Sequence, residues 1–165
     1  MTLIENDLQF EFNDVENEEK FDRNEIREKS NLKTVDFLVE YNDCYRFIEV
    51  KDLDCPNPQN PDEFMKKFKS GSLIESLAMK YRDSKFYLLH TKRPIKKYQY
   101  LVLIASKNID SAMLLNKQDQ LKAKIPIEHK NWDKASLDVC AILNIDKWKK
   151  CYGENSIKRI TDTSN

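Results

Sequence analysis

The sequence predicts an α/β fold: a single domain in which a central mixed β-sheet is flanked by helices. Three observations lead there. Residues 34–41 and 44–51 are rich in Val, Ile, Phe and Tyr and are separated only by Asn42 and Asp43, both tolerant of the positive φ that a tight hairpin turn requires. KFYLLH (85–90) and YLVLIAS (100–106) are short apolar runs bounded by charge, the pattern of strands buried on both faces. Before them, Ile74, Leu77, Ala78 and Tyr81 recur at helical spacing. With 165 residues, the chain can bury most of the surface its unfolded form exposes. We expect one unit over residues 1–153 and a polar tail, 154–165, that frays.

Each element can be placed in order. Leu8, Phe10 and Phe12 alternate in LQFEF and predict a short strand, and the acidic stretch 13–29 reads as a helix. The hairpin follows. CPNPQNP (55–61) holds three prolines in seven residues and must be a loop. Asp62 can start a helical stretch, with Gly71 as a break between two helices. The runs at 85–90 and 100–106 then supply central strands. Asn108 is a candidate N-cap for a helix carrying Met113, Leu114, Leu115 and Leu121, which Pro126 ends. A strand near 137–143 and a short helix at 147–151, stopped by Gly153, complete the order.

Composition excludes several classes. No apolar run approaches the 18 or so residues of a membrane helix. MTLIENDLQF has neither a basic n-region nor an apolar h-region, so the expected location is cytoplasmic, away from membranes. Cys44, Cys55, Cys140 and Cys151 lie far apart without CxxC spacing, which predicts reduced, unligated thiols. His90 and His129 lack neighbouring ligands and read as structural or solvent-facing; Trp132 and Trp148 read as packing residues, with Tyr98 and Tyr100 the better candidates for stacking on a base.

The net charge of zero hides an asymmetry. Residues 1–63 hold 7 basic and 18 acidic side chains, and residues 64–165 hold 21 basic and 10 acidic. Between 64 and 100, ten Lys/Arg face only Glu75 and Asp83. Lys66, Lys67, Lys69, Lys92, Arg93, Lys96 and Lys97 are therefore candidates to track a nucleic-acid backbone. The bland alternative is a solvated face that balances the acidic half.

The hairpin carries the chemistry. A turn centred on Asn42 and Asp43 opposes 41 to 44 and, counting back, Asp36 to Glu49. Lys51 shares the face of Glu49, so three charges converge at one end, while Val35, Phe37, Val39, Ile48 and Val50 form an apolar face. Opposed carboxylates destabilise a sheet and raise each other's pKa unless a cation neutralises them. A divalent metal would do so, and oxygen-only ligation suits Mg²⁺ or Mn²⁺.

Asp36 followed across a hairpin by Glu49-Val50-Lys51 resembles the D…(D/E)xK signature of the PD-(D/E)XK nuclease superfamily, which includes restriction endonucleases and Holliday junction resolvases. Val35 stands where the family's name has proline. The order of helix, hairpin, helix and strand agrees with the family core over about two thirds of the chain. The resemblance implies a restriction endonuclease-like fold and a metal-dependent endonuclease, with DNA favoured over RNA, in phage defence or DNA processing. It further implies that Asp36, Glu49 and the Val50 carbonyl ligate Mg²⁺ or Mn²⁺, and that Lys51 orients or deprotonates water or stabilises the transition state. Glu25 or Glu28 could add an acidic group, and Ser72, Ser76 or Lys80 a polar group from the following helix; these alternatives stay open. Many relatives act as dimers, so a homodimer is an expectation too. Two other readings compete. Asp36, Glu49 and Lys51 could be an ion-paired cluster at an exposed hairpin edge, or the chain could be a catalytically silent nuclease-fold module binding a protein or nucleic-acid partner.

Overall fold

The structure, a computed structural model, describes residues 2–163. Its centre is a five-stranded mixed sheet in the order β3-β4-β5-β6-β7. The strands are β3 (Asn17–Lys20), β4 (Phe37–Glu40), β5 (Cys44–Asp52), β6 (Lys97–Ala105) and β7 (Val139–Leu143). The β3–β4 and β4–β5 pairs are antiparallel, and β5–β6 and β6–β7 are parallel. Parallel neighbours need crossovers, supplied here by α2 (Pro61–Ser70) with α3 (Ser72–Leu89), and by α4 (Ser111–Lys124). A second sheet, β1 (Leu3–Glu5), β2 (Leu8–Phe10) and β8 (Ile157–Arg159), is antiparallel in the order β1-β2-β8.

Period-two alternation along β5 and β6 sends side chains to two cores. Tyr45, Phe47, Tyr100 and Val102 pack with Leu77, Tyr81, Leu114 and Leu121 of α3 and α4. Phe37, Val39, Ile48, Val50, Leu101 and Leu103 pack with Leu8, Phe10 and Ile157 of the small sheet and with Trp148 of α5 (Ile145–Tyr152). Four of the five residues placed on the hairpin's apolar face thus share one core; Val35 joins the other, just ahead of the strand.

The hairpin, the proline-rich loop, the helix break and the 100–106 strand lie where the residue pattern puts them. Gly71 sits between α2 and α3 at φ +82°. An added Cβ there meets nothing within 4 Å, so Gly71→Ala is expected to cost only the left-handed backbone strain, about 1–2 kcal/mol, read as a lower urea midpoint with unchanged slope. A loss well beyond that range would mean that the α2–α3 junction moves.

Several expectations are corrected. KFYLLH is no strand but the end of α3: Leu88 continues the buried Leu77, Tyr81, Ser84 stripe at helical spacing, while Phe86 and Leu89 face out. Extending a formed helix adds a hydrogen bond for each residue fixed, which outweighs the local strand preference of the run. Stretch 13–29 is not one helix; it forms β3 and then α1 (Asn24–Ser30). β3 has little apolar pattern because ion pairs from later residues flank it, Lys96 Nζ to Glu16 at 2.5 Å and Arg93 to Glu19. The α4 cap is Asp110, whose side chain accepts from Met113 N–H at 2.9 Å; Asn108 is not the cap. The segment expected to fray from 154 onward contains β8, with Ile157 buried. Trp148 packs but Trp132 is exposed, and Tyr98 and Tyr100 are buried, which removes all of them except Trp132 as base-stacking surfaces. All four cysteines are free. Among the described residues no helix is long and apolar enough to cross a membrane.

Candidate active site

β4 and β5 pair as the turn dictates, from Glu40 opposite Tyr45 to Phe37 opposite Ile48. One step further, Asp36 meets Glu49. The Asp36 carbonyl accepts from Phe21 N–H at 2.7 Å, and its carboxylate Oδ2 accepts from Val50 N–H, also at 2.7 Å. Asp36 is thereby held from both neighbouring segments. Glu49 projects from the sheet face under α3 and is completely buried.

A buried carboxylate must be paired or neutralised, and two lysines pair it. Lys51 Nζ donates to Glu49 Oε1 at 2.6 Å, as expected of residues two apart on one face. Lys80 Nζ, from the middle of α3, donates to Glu49 Oε1 and Oε2 at 2.7 and 2.9 Å and lies 3.8 Å from Asp36 Oδ1. One ammonium therefore touches both carboxylates, in the position a cation shared by them would take. Ser72 and Ser76 are exposed nearer the start of α3, so Lys80 is the residue of this helix that reaches the cluster. It borders the buried stripe of Leu77, Ala78 and Tyr81, a location where a lone cation is turned towards the sheet.

Desolvation first, and then the Glu49 charge, push the Asp36 carboxyl up to about 7, against the opposing pull of Lys80 and Lys51. For Lys51, burial favours the neutral amine, but attraction to Glu49 and Asp36 outweighs it and raises the pKa. A stability consequence follows. Unfolded, Asp36 ionises near 3.8; folded, it keeps its proton to about 7. Over that window the fold binds the extra proton, so Asp36 makes stability fall as pH rises, the loss being complete above the folded value. Asp36→Asn is expected to lose that decline in urea melts from about pH 4 to about pH 8. A decline of equal size in the variant would assign it to other groups.

The cluster opens into a cavity of about 240 Å³ lined by Asp36, Val50 and Lys51, with Glu5 from β1, Gln59 from the proline-rich loop and Phe64 from α2. A second cavity, about 320 Å³, reaches Lys80 past Asp22, Arg27 and Thr34. Gln59 and Phe64 went unnoticed in the sequence; their signal was the proline-rich loop straight after the hairpin, which turns the chain back over the strand end. Glu25 and Glu28 are exposed on α1 and line neither cavity. Asp22, held by Arg27 Nη2 at 2.6 and 2.7 Å, is the acidic side chain of that region lining the Lys80 cavity.

The basic candidates divide. Lys66, Lys67 and Lys69 are exposed on α2, the helix that also supplies Phe64, and Lys67 pairs with Glu63 at 2.8 Å. Lys92, Arg93 and Lys96 lie before β6 and Lys97 opens it, at the opposite sheet end: Lys97 pairs with Cys44, seven residues from Lys51, or about 23 Å at strand rise. Arg93 and Lys96 are also engaged, by Glu19, Glu40 and Glu16. They close the acidic N-terminal half onto the basic half rather than offering charge to a ligand.

Among the described residues no group of three or more His, Cys, Asp or Glu is placed to hold an ion. Protein ligands here would be the Asp36 carboxylate, which lines the cavity with Val50, and the Glu49 carboxylate buried behind it. The donor set fits a hard divalent cation that keeps waters. Comparison with protein-family models, with curated proteins and with solved structures gives no match.

Proposed function

We propose that the protein is a Mg²⁺- or Mn²⁺-dependent endonuclease that hydrolyses phosphodiester bonds, with DNA rather than RNA as its substrate class and a restriction endonuclease-like fold around the site. The observation that supports it most is the cluster of Asp36, Glu49, Lys51 and Lys80, two carboxylates with an ammonium between them, of which Asp36 and Lys51 open into the cavity of about 240 Å³. When bound by Asp36 and Glu49, the metal would polarise the phosphoryl oxygen and acidify a water. Lys51, partly exposed in the cavity, would place its ammonium beside the attacked phosphate and stabilise the charge that develops there. Lys80 would hold Glu49 in orientation through both oxygens. Lys66, Lys67 and Lys69, exposed on the helix that supplies Phe64 to the cavity, are the lysines we assign to the phosphate backbone; those before and at the start of β6 are too distant to serve the same bond. Cleavage of both duplex strands would use two copies, hence a homodimer, and phage defence or DNA processing is the context we favour.

One observation favours a second reading. Lys51 and Lys80 already neutralise Glu49, so the cluster can stand as an internal ion-pair network in a catalytically silent module that binds a protein or nucleic-acid partner. Cleavage assays on supercoiled plasmid, linear duplex, single-stranded DNA and RNA with Mg²⁺ or Mn²⁺ separate the two. Cutting that EDTA stops supports the nuclease and names its substrate. Failure of purified protein on every substrate supports the silent module. Thermal melting adds an independent readout: binding to the native state raises Tm with metal concentration, and we expect Mg²⁺ or Mn²⁺ to stabilise the wild type but not Asp36→Asn.

A further inference from the structure

A cavity of about 400 Å³ lies between the end of α3, the start of β6 and the 134–138 loop, within the range of about 300–1,000 Å³ typical of small-molecule sites. It is separate from the carboxylate pair. Tyr98, on its wall, pairs with Tyr45, four residues along β5 from Glu49 and so about 13 Å away at strand rise.

Its apolar lining is Leu89, Ile95 and the Tyr98 ring. Leu89 and Ile95 are 54% and 79% exposed, large aliphatic surface left open at the mouth. The Tyr98 hydroxyl makes no hydrogen bond within the described residues. Four lysines also line the cavity. Two are satisfied: Lys96 by Glu16 and Glu40, and Lys97 by Asp138 at 3.8 Å. Of the acids at the wall, Asp138 is thus engaged, and Asp43 lies against the Cys44 thiol. Lys85 and Lys134 are left without a carboxylate at ion-pair distance among the described residues. Lys85 Nζ donates to the Ser136 carbonyl at 2.6 Å and sits 4.4 Å from the Tyr98 ring centroid, which fixes the ammonium at the wall. Burial, and then the charge of Lys134, lower its pKa. Two ammoniums with no carboxylate at ion-pair distance, on a wall where four lysines outnumber Asp43 and Asp138, leave a place for an anion. A phosphomonoester, carrying close to two negative charges at neutral pH, matches two ammoniums.

We propose that this cavity binds a small phosphomonoester with an apolar body, the phosphate between Lys85 and Lys134 and the body against Leu89 and Ile95. The site does not depend on the nuclease reading. It is tested by titrating phenyl phosphate and, separately, inorganic phosphate into the full chain while following backbone amide resonances by NMR. Saturable shifts at Tyr98, Lys134 and Ser136 are expected, with phenyl phosphate at least about tenfold tighter than inorganic phosphate. Lys134→Gln, in an exposed loop, and Lys85→Met, which keeps the aliphatic stem, should each weaken phenyl phosphate by about tenfold. Retained amide spectra would show that both variants fold. The absence of saturable shifts in the wild type, binding unchanged by both substitutions, or equal affinity for the two probes would each overturn the proposal.

Discussion

Replacing Lys51 by alanine is expected to lower metal-dependent cleavage about 10²–10³-fold, the range for losing one positioned group that stabilises transition-state charge, while leaving the fold intact. The fold survives because Glu49 keeps Lys80, which donates to both carboxylate oxygens. Glu49→Gln should reduce cleavage to background by removing one of the two carboxylates. It has a second, independent signature: without the Glu49 charge, which raises Asp36, the Asp36 carboxyl should titrate below its wild-type value, readable in side-chain carboxyl NMR. Lys80→Met should destabilise more than Lys51→Ala, since Lys80 is the more buried of the two partners and its loss leaves Glu49 paired by one lysine only. Cleavage that persists in both Lys51→Ala and Glu49→Gln would sink the nuclease assignment, whereas an unaltered Asp36 titration in Glu49→Gln would sink the electrostatic account of the pair.

The second large effect lies at the far end of the chain. Arg159 donates to Asp52 through two nitrogens, Nη1 at 3.0 Å and Nη2 at 2.9 Å, and Nη1 lies 3.3 Å from Asp7. Asp52 is buried and directly follows Lys51; its Oδ1 also accepts from Asp54 N–H at 3.2 Å, shaping the turn out of β5. Asp7 is tied to the same segment by Thr161 N–H and Oγ1, at 3.0 and 2.8 Å. Arg159→Ala leaves two buried carboxylates without their cation, and breaking such a pair by removing one partner costs about 3–5 kcal/mol. Urea denaturation is expected to show that loss. Because Asp52 adjoins Lys51, cleavage by the folded variant should fall as well. A change below about 1 kcal/mol, the level of an exposed pair, would mean that the small sheet does not depend on this contact.

What was legible in the sequence is what depends on neighbours close along the chain. The Asn42-Asp43 turn specifies register because side chains alternate with period two, and register alone opposes Asp36 to Glu49 and turns Lys51 to the same face. Gly71 and the proline-rich loop were equally readable, since backbone restrictions act locally. Tertiary structure decided the rest. KFYLLH has the composition of a buried strand, but it continues α3 and Leu88 falls on the helix's buried stripe. β3 carries almost no pattern of its own and is held by Arg93 and Lys96, more than seventy residues away. The tail after Gly153 is polar in sequence and structural in space, because Ile157 completes the second core and Arg159 answers Asp52. Lys80 stood among three candidates until the crossing of α3 over β5 placed its ammonium on Glu49. The charge asymmetry was visible at once, yet its use was not: much of it closes one half of the chain onto the other. Ion pairs between distant residues leave no periodic trace, so only the folded chain shows which lysines are engaged and which remain open to a ligand.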